Sequence, residues 1–211
     1  MDDDQKPKLY IVLYSLYHHV YKLATEIAKG AEAGGCDVKI FQVEETLSND
    51  ILDKLRAPDR PDLPIITAAQ LAEADGFLFG LPTRFGMFPT QVKTLLDATG
   101  SLWAKNGLAH KFAGFFISTA SSHGGSSSFP CKNRTALTAV SYLVHHGINY
   151  ISFGYPNPAL FDNSKVIGGT PYGSTTIANG DGSRQPIKEE LDLALNQGEN
   201  FGNILTTYHR G

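Results

Sequence analysis

Dense runs of apolar residues recur along the chain, and each is long enough to form one buried β-strand. The first, Lys8–Tyr14, is apolar throughout and rich in β-branched and aromatic residues, which favours a central strand buried on both faces. The second, Asp37–Val43, alternates apolar and polar positions, which favours a strand nearer the sheet edge. The other predicted strands are Gly76–Leu81, Phe112–Ser118 and Ile148–Phe153.

Helical spacing fills the intervals between these strands. From Val20 to Ala31 the apolar residues recur three and four positions apart, and Gly34-Gly35 ends the pattern. Further helical patterns cover residues 92–96, 136–144 and 186–205. Strands that alternate with helices predict an α/β fold, with a doubly wound parallel sheet, helices on both faces and right-handed crossovers.

Two longer segments show no clear period. Glu44–Ala74 contains several prolines and short helical patterns around Ser48–Leu55 and Thr67–Glu73. Gly154–Gln185 is rich in Gly, Pro, Asn, Ser and Thr and is predicted to be a long ordered loop or insertion. Because the sequence shows neither an internal repeat nor a second apolar core, we expect a single domain over residues 8–211, preceded by a disordered acidic tail at residues 1–7.

The composition is that of an ordinary globular enzyme. The 211 residues are 42% hydrophobic and 18% charged, and the net charge of −3 gives no basic face for nucleic acid. No apolar run has the length of a membrane span, and the polar amino terminus is unlike a secretory signal, so a cytoplasmic location is expected. The two cysteines, Cys36 and Cys131, are predicted to be reduced thiols, with a single disulfide as the alternative.

Three loops at the predicted carboxyl ends of strands carry the groups expected of a ligand site. They are Ser15–Val20, Pro82–Gly86 and Ser118–Gly125. In a doubly wound sheet, ligands bind where such loops meet. The first loop leads directly into a helix, whose free N–H groups and dipole favour an anion such as phosphate without help from Lys or Arg.

Each candidate side chain also has a purely structural interpretation. Ser15 would donate its hydroxyl to a phosphate or simply cap the helix, and Arg84 would line a cofactor or form a surface ion pair. Trp103 would be a half-buried core residue or a wall on which a flat substrate stacks. His145 and His146 suit a helix end, and since adjacent helical positions face different ways they make a poor metal chelate.

Several familiar motifs are absent. No G-x-G-x-x-G follows the first strand, so a dinucleotide-binding Rossmann site is disfavoured. The chain also lacks a P-loop, a G-x-S-x-G nucleophile elbow and any Cys/His spacing suited to structural zinc, and no metal site is expected.

Four stretches together resemble the WrbA-like flavoproteins, the type IV NAD(P)H:quinone oxidoreductases of the flavodoxin-like fold. They are Ser15–Val20, P-T-R-F-G at 82–86, G-S-L-W-A at 100–104, and residues 168–186, which include G-G-T-P-Y-G and D-G-S-R. The resemblance extends from about Lys8 to the final helix. It implies a five-stranded sheet in the order 2-1-3-4-5, a homotetramer, FMN as cofactor, and NADH or NADPH as the reductant of a quinone.

The resemblance also assigns roles to individual residues. It places the FMN phosphate on the loop formed by Ser15, Leu16, Tyr17, His18, His19 and Val20. It places Thr83, Arg84 and Phe85 along the isoalloxazine, and Ser118, Thr119, Ala120, Ser121 and Ser122 over the pyrimidine side. His146 would reach the flavin from a neighbouring element and assist proton delivery as the catalytic residue. Trp103 would face the substrate and Tyr17 the nicotinamide, in a ping-pong, two-electron reduction.

Two departures from the family pattern fall on the flavin loops. His18 stands where the family usually has Gly, and a non-Gly residue at positive φ costs about 1 kcal/mol and places a side chain near the phosphate. After Ser118, the residues Ala120–His123 interrupt the family's S-T-G-T-G-G pattern. Two other functions therefore stay open: a flavodoxin-type electron carrier, which the extra segments disfavour, and an FMN-deficient member that serves as a structural or regulatory oligomer. Peripheral membrane association is compatible with each function.

Overall fold

A parallel β-sheet forms the centre of the computed structural model, which describes residues 5–121 and 131–209. Its strands are β1 (Lys8–Leu13), β2 (Asp37–Gln42), β3 (Gly76–Pro82), β4 (Phe112–Thr119), β5 (Asn149–Tyr150) and β6 (Thr175–Ile177). The order β2-β1-β3-β4-β5 confirms the order that the resemblance implied. β6 adds a short sixth strand, which pairs with β4.

Helices cover both faces of this sheet. They are α1 (His19–Ala33), α2 (Asn49–Lys54), α3 (Thr90–Asp97), α4 (Gly100–Ala104), α5 (Cys131–His146) and α6 (Lys188–His209). Alternate residues of β1 enter two separate cores: Leu9, Ile11 and Leu13 pack with α1 and α6, while Tyr10 and Val12 pack on the side of α3 and α5. This confirms that β1 is a central strand buried on both faces.

β5 is shorter than the strand predicted at Ile148–Phe153. It pairs with β4 through Asn149 and Tyr150, and the N–H of Ile151 adds one more hydrogen bond to Ala113, at 2.8 Å. The chain then leaves the sheet, and the N–H groups of Phe153 and Gly154 both donate to the carbonyl oxygen of Pro171, at 2.9 Å. β6 pairs with the remaining part of the β4 edge. It lies in the segment predicted to be a loop. The strand was not predicted because three residues are too few to show an alternating pattern.

Some sequence predictions fall partly outside the described residues. Residues 1–4 of the predicted tail and Ser122 of the predicted flavin loop are among them. Cys36 is a buried free thiol, as predicted. Across residues 5–121 and 131–209, no helix combines the length and the apolar character needed to cross a membrane.

Glycines bring the backbones of α1 and α6 into direct contact. A Cβ atom on Gly30 would lie 2.0 Å from the carbonyl oxygen of Leu195, and one on Gly198 would lie 2.0 Å from that of Ile27. One turn further on, a Cβ on Gly202 would lie 2.8 Å from the carbonyl oxygen of Ala31. Because these obstacles are backbone atoms, they cannot move aside as a flexible side chain would.

Gly198→Ala is therefore expected to lower the free energy of unfolding by about 1–3 kcal/mol, the usual cost of overpacking a core. Urea denaturation measures this loss. Gly100→Ala is the matched control, since a Cβ on Gly100 would meet nothing within 4 Å and alanine favours a helix. Equal losses in the two variants would contradict the close contact between α1 and α6.

Candidate functional site

The loop between β1 and α1 forms a cradle of backbone N–H groups, which we call the N–H cradle (residues 15–20). The N–H groups of residues 16–20 find no acceptor within the described part of the chain. Ser15 Oγ accepts a hydrogen bond from the N–H of Tyr21 at 3.2 Å, so it caps the helix while its own O–H stays able to donate. Free N–H groups at a helix N-terminus fit an anion, and a phosphate monoester is of this kind.

His18 gives the cradle its turn. Its backbone is left-handed, with φ 64° and ψ 0°, which is the conformation expected where the family has glycine. Its ring Nε2–H donates to the carbonyl oxygen of Asp59 at 2.9 Å, and the Tyr17 hydroxyl donates to that of Leu55, also at 2.9 Å. Both side chains are thus held by the segment that follows α2.

The backbone conformation of His18 predicts an unusual order of stability between two variants. His18→Gly is expected to be more stable than His18→Ala by about 1 kcal/mol, because both lose the ring but only alanine keeps the strain of positive φ. Thermal or urea unfolding measures the difference. At Lys29, an exposed position within α1, the same two replacements should rank in the opposite order, since glycine weakens a helix interior.

The loops that follow β1, β3 and β4 lie at the same edge of the sheet. The N–H of Tyr14, just after β1, donates to the carbonyl oxygen of Gly80, two residues before the end of β3. The N–H of Thr83 donates to the carbonyl oxygen of Ser118 at 2.8 Å, which joins the ends of β3 and β4. Beyond that point the Thr119 hydroxyl donates to the carbonyl oxygen of Ser121 at 3.1 Å, while Ala120 and Ser121 are exposed. The convergence expected from the strand-end rule is therefore present.

A tight turn after β3 presents Phe85 to the outside. Arg84 and Met87 exchange two backbone hydrogen bonds of 2.8 and 3.0 Å. Between them Phe85 has φ 54° and Gly86 has φ 79°, the combination of a type I′ turn. The ring of Phe85 is 97% exposed, and Arg84 and Met87 are exposed as well. The turn thus presents an apolar aromatic side chain at the end of β3, open to a flat ligand.

His146 lies away from this edge within one chain. Three residues after it, Asn149 pairs with Phe112, the first residue of β4, whereas the flavin loop begins where β4 ends. Eight extended residues span about 23 Å, so roughly a strand length separates the two ends. His146 contacts Thr99, just before α4, which carries Trp103 with 58% of its surface exposed. The catalytic role of His146 and the substrate contact of Trp103 stay predictions.

Hydrogen bonding defines the protonation of His146. The Thr99 hydroxyl donates to the carbonyl oxygen of Leu96 at 2.6 Å, so the Tyr142 hydroxyl and His146 Nε2 must both donate to it, at 3.0 and 3.1 Å. Nδ1 is buried and has no partner among the described residues. Burial, and then the neighbouring His145, lower the pKa of His146. The ring is therefore neutral, with Nδ1 as an unused acceptor.

The D-G-S-R stretch joins two of the three loops, a role that the sequence did not reveal. We call residues 178–185 the bridge. At one end the N–H of Ala178 donates to the carbonyl oxygen of Thr119 at 2.8 Å. At the other end His19 Nε2 lies 3.0 Å from the carbonyl oxygen of Arg184. His19 is thus a buried link between the cradle and the bridge.

A buried carboxylate fixes the bridge. Glu190, in the first turn of α6, is fully buried and pairs with both terminal nitrogens of Arg184, at 2.9 and 3.1 Å. It also accepts hydrogen bonds from the Gly168 N–H at 2.8 Å and from the Thr176 hydroxyl at 2.7 Å. The helix dipole favours an acidic residue in this first turn, but it does not identify the partners of that residue. Arg184, Thr176 and Gly168 lie 6, 14 and 22 residues before Glu190, and no helical or strand period links these positions.

Acidification from pH 7 to pH 5 is expected to destabilise the protein through its buried histidines. Burial lowers the pKa of both His19 and His146 below the ordinary value of about 6.5 that applies in the unfolded chain. The unfolded state then binds more protons in this range, so the free energy of unfolding falls as the pH falls. Urea denaturation at pH 5, 6, 7 and 8 measures the slope. His19→Gln should flatten it, whereas His209→Gln, at an exposed position, should not.

Comparison with known proteins agrees with this geometry. Residues 18–148 match the protein family described as NADPH-dependent FMN reductase. The chain is 48% identical to the NAD(P)H quinone oxidoreductase PST1 of Candida albicans, over 92% of this chain and 95% of that protein. It is 50% identical to the quinone-oxidoreductase QR2 of Triphysaria versicolor, over 93% of this chain and 94% of that protein.

A solved structure gives the same fold. The flavodoxin, WrbA-like protein from Agrobacterium tumefaciens matches 95% of this chain and 98% of its own, with a TM-score of 0.65 and 22% identity. At this identity the likeness establishes the sheet and its connections.

Proposed function

The chain belongs to the NADPH-dependent FMN reductase family, and on that premise we propose that it is an FMN-dependent NAD(P)H:quinone oxidoreductase. It reduces quinones to hydroquinones by two electrons, with NADH or NADPH as the reductant. The N–H cradle is the observation that carries this proposal, because its unpaired N–H groups lie at a helix N-terminus beside two further strand-end loops. Relatives that match over nine-tenths of their length support the substrate class.

The loops that follow β1, β3 and β4 bind different parts of FMN. The N–H groups of Leu16, Tyr17, His18, His19 and Val20, with the Ser15 hydroxyl, hold the phosphate. Thr83, Arg84 and Phe85 lie along the ring system, and the loop that begins at Ser118 covers the pyrimidine side. When bound, FMN supplies the hydride and electron transfer chemistry. Tyr17 contacts the nicotinamide, and reductant and quinone occupy the same cavity in turn.

A homotetramer is the second part of this proposal. Within one chain, His146 and Trp103 lie about a strand length from the flavin loops, and the ring of Trp103 is largely exposed. A second copy would bring both to the cavity, Trp103 against the quinone and His146 to assist proton delivery. Light scattering should then give four times the 22.9 kDa of the chain. We place this single-domain protein in the cytoplasm; contact with a membrane would be peripheral.

The test combines flavin binding with turnover. FMN is titrated into the purified protein while its fluorescence is followed, and oxidation of NADH and NADPH is then measured with benzoquinone. The proposal expects quenching, oxidation that depends on the quinone, and parallel lines in double-reciprocal plots. Quenching without oxidation would indicate an electron carrier. No quenching would indicate a family member without FMN. This outcome is included because His18 stands in the cradle where the family usually has Gly.

A further inference from the structure

We propose that His19 is a positioning residue that couples the phosphate at the N–H cradle to the order of the bridge. The inference rests on the proposed binding of FMN. It concerns a different property, which is how occupation of one flavin loop is transmitted to the next. Neither the cradle nor the bridge needs to change its fold for this coupling.

The position of His19 joins the two segments in a single residue. It is the first residue of α1, so its backbone N–H belongs to the cradle. Its ring is 5% exposed and lies under the bridge, where a Cβ on Gly182 would be 3.9 Å from its Cε1 atom. Because a carbonyl oxygen only accepts, the ring donates from Nε2 to Arg184. In the neutral ring this contact fixes the Nε2–H tautomer.

The bridge can transmit this contact because both of its ends are fixed. The guanidinium of Arg184 donates to Glu190, and also to the carbonyl oxygens of Ile177 and Val166, at 2.5 and 3.2 Å. The N–H of Arg184 donates to the carbonyl oxygen of Ala178, whose own N–H donates to Thr119. A continuous path of hydrogen bonds thus runs from the cradle, through the His19 ring, to the end of β4.

Phosphate binding acts on the first link of this path. An anion that accepts from the cradle N–H groups restrains the backbone of His19, and a restrained backbone holds the ring on Arg184. Ordering one end of a linked segment lowers the rate at which the other end opens, and the coupling is reciprocal. The bridge in turn restrains Thr119, so the phosphate loop and the pyrimidine loop order together.

Lys22 offers a second contact to the bridge, but of a different kind. Its Nζ donates to the side-chain oxygen of Gln185 at 2.6 Å, and both groups are exposed. An exposed contact between flexible side chains contributes little. Lys22→Met therefore serves as the matched control, because it removes a contact between α1 and the bridge while the His19 ring stays in place.

The experiment is amide hydrogen exchange, measured by mass spectrometry with and without FMN. In the unsubstituted protein, FMN should slow exchange at least about 10-fold in two peptides, one covering residues 16–22 and one covering residues 178–187. His19→Leu should keep the protection at 16–22, lose it at 178–187, and bind FMN about 10-fold more weakly. His19→Gln, which retains a donor, should restore both effects, and Lys22→Met should behave as the unsubstituted protein.

The outcomes separate this inference from the proposed function. If FMN protects 178–187 equally in His19→Leu, or protects only 16–22 in the unsubstituted protein, the coupling is wrong while FMN binding stands. If FMN protects neither peptide and does not bind, the proposed function is wrong and the coupling falls with it. Should His19→Leu fail to fold, His19→Asn takes its place, because its amide is too short to reach Arg184. Protection of residues 178–187 and of residues 16–22 by FMN is then compared in that variant, with the same interpretation.

Discussion

Glu190→Gln is expected to lower the free energy of unfolding by about 3–5 kcal/mol, the usual cost of breaking a buried ion pair from one side. The substitution keeps the shape of the side chain but removes its charge. Arg184, which is mostly buried, then loses its counterion. The new amide group also turns a donor towards the N–H of Gly168 or towards the guanidinium, both of which are donors themselves.

Asp192→Asn is the control for this experiment, because it makes the same chemical change two residues further along α6. Asp192 pairs with Lys188 on the exposed surface, so little change in stability is expected. Urea denaturation of both variants gives the comparison. Similar losses would show that the Arg184–Glu190 pair does not anchor the bridge. The FMN affinity of Glu190→Gln should also fall, because the bridge loses its fixed end.

Riboflavin is expected to bind at least about 100-fold more weakly than FMN. The two flavins share their ring and sugar chain, and differ only in the phosphate. A hydrogen bond to a charged group contributes about 1.5–3 kcal/mol, and 1.4 kcal/mol corresponds to a factor of ten in affinity. Two such bonds from the cradle already account for the expected ratio. Fluorescence titration of the protein with each flavin measures it.

Ser15→Ala tests the contact with the phosphate separately from the contacts with the rest of the flavin. It removes one donor from the cradle, so it should weaken FMN binding and leave riboflavin binding unchanged. Equal affinities for the two flavins in the unsubstituted protein would contradict a phosphate site at residues 15–20. They would also exclude the coupling through His19, since that coupling begins at the phosphate.

Much of the fold follows from local pattern. The unbroken apolar run of β1 and the alternation of β2 reflect burial on two faces and on one, and both strands form as predicted. The edge of β4 was not predictable in this way. Ile148–Phe153 is apolar enough for a full strand, yet hydrogen bonds to Pro171 draw its second half away from the sheet. β6 pairs with the vacant part of the β4 edge, although Thr175–Ile177 shows no pattern that predicts a strand.

The candidate site shows the same division between local and distant information. The strand-end rule identifies the loops after β1, β3 and β4, and the comparison of His18 with glycine anticipates its positive φ. The link from His19 through Arg184 to Glu190 was missed, because it joins positions 19 and 184, which lie 165 residues apart. The position of His146 likewise depends on contacts between parts of the chain that are distant in sequence. Its helix-end position is predictable, but its separation from the flavin loops depends on how α5 returns along the sheet.

The contact between α1 and α6 also determines when the fold can be completed during synthesis. Near this contact the Cys36 thiol donates to the carbonyl oxygen of Gly202, 166 residues later in the chain. At 5–20 residues per second, the ribosome needs roughly 8–33 s to make the intervening segment. Throughout that time the part of α1 around Gly30 and Gly34 lacks α6, the helix against which it packs. The nascent chain therefore leaves this part of α1 uncovered until α6 emerges, and this interval is when it most needs protection from aggregation.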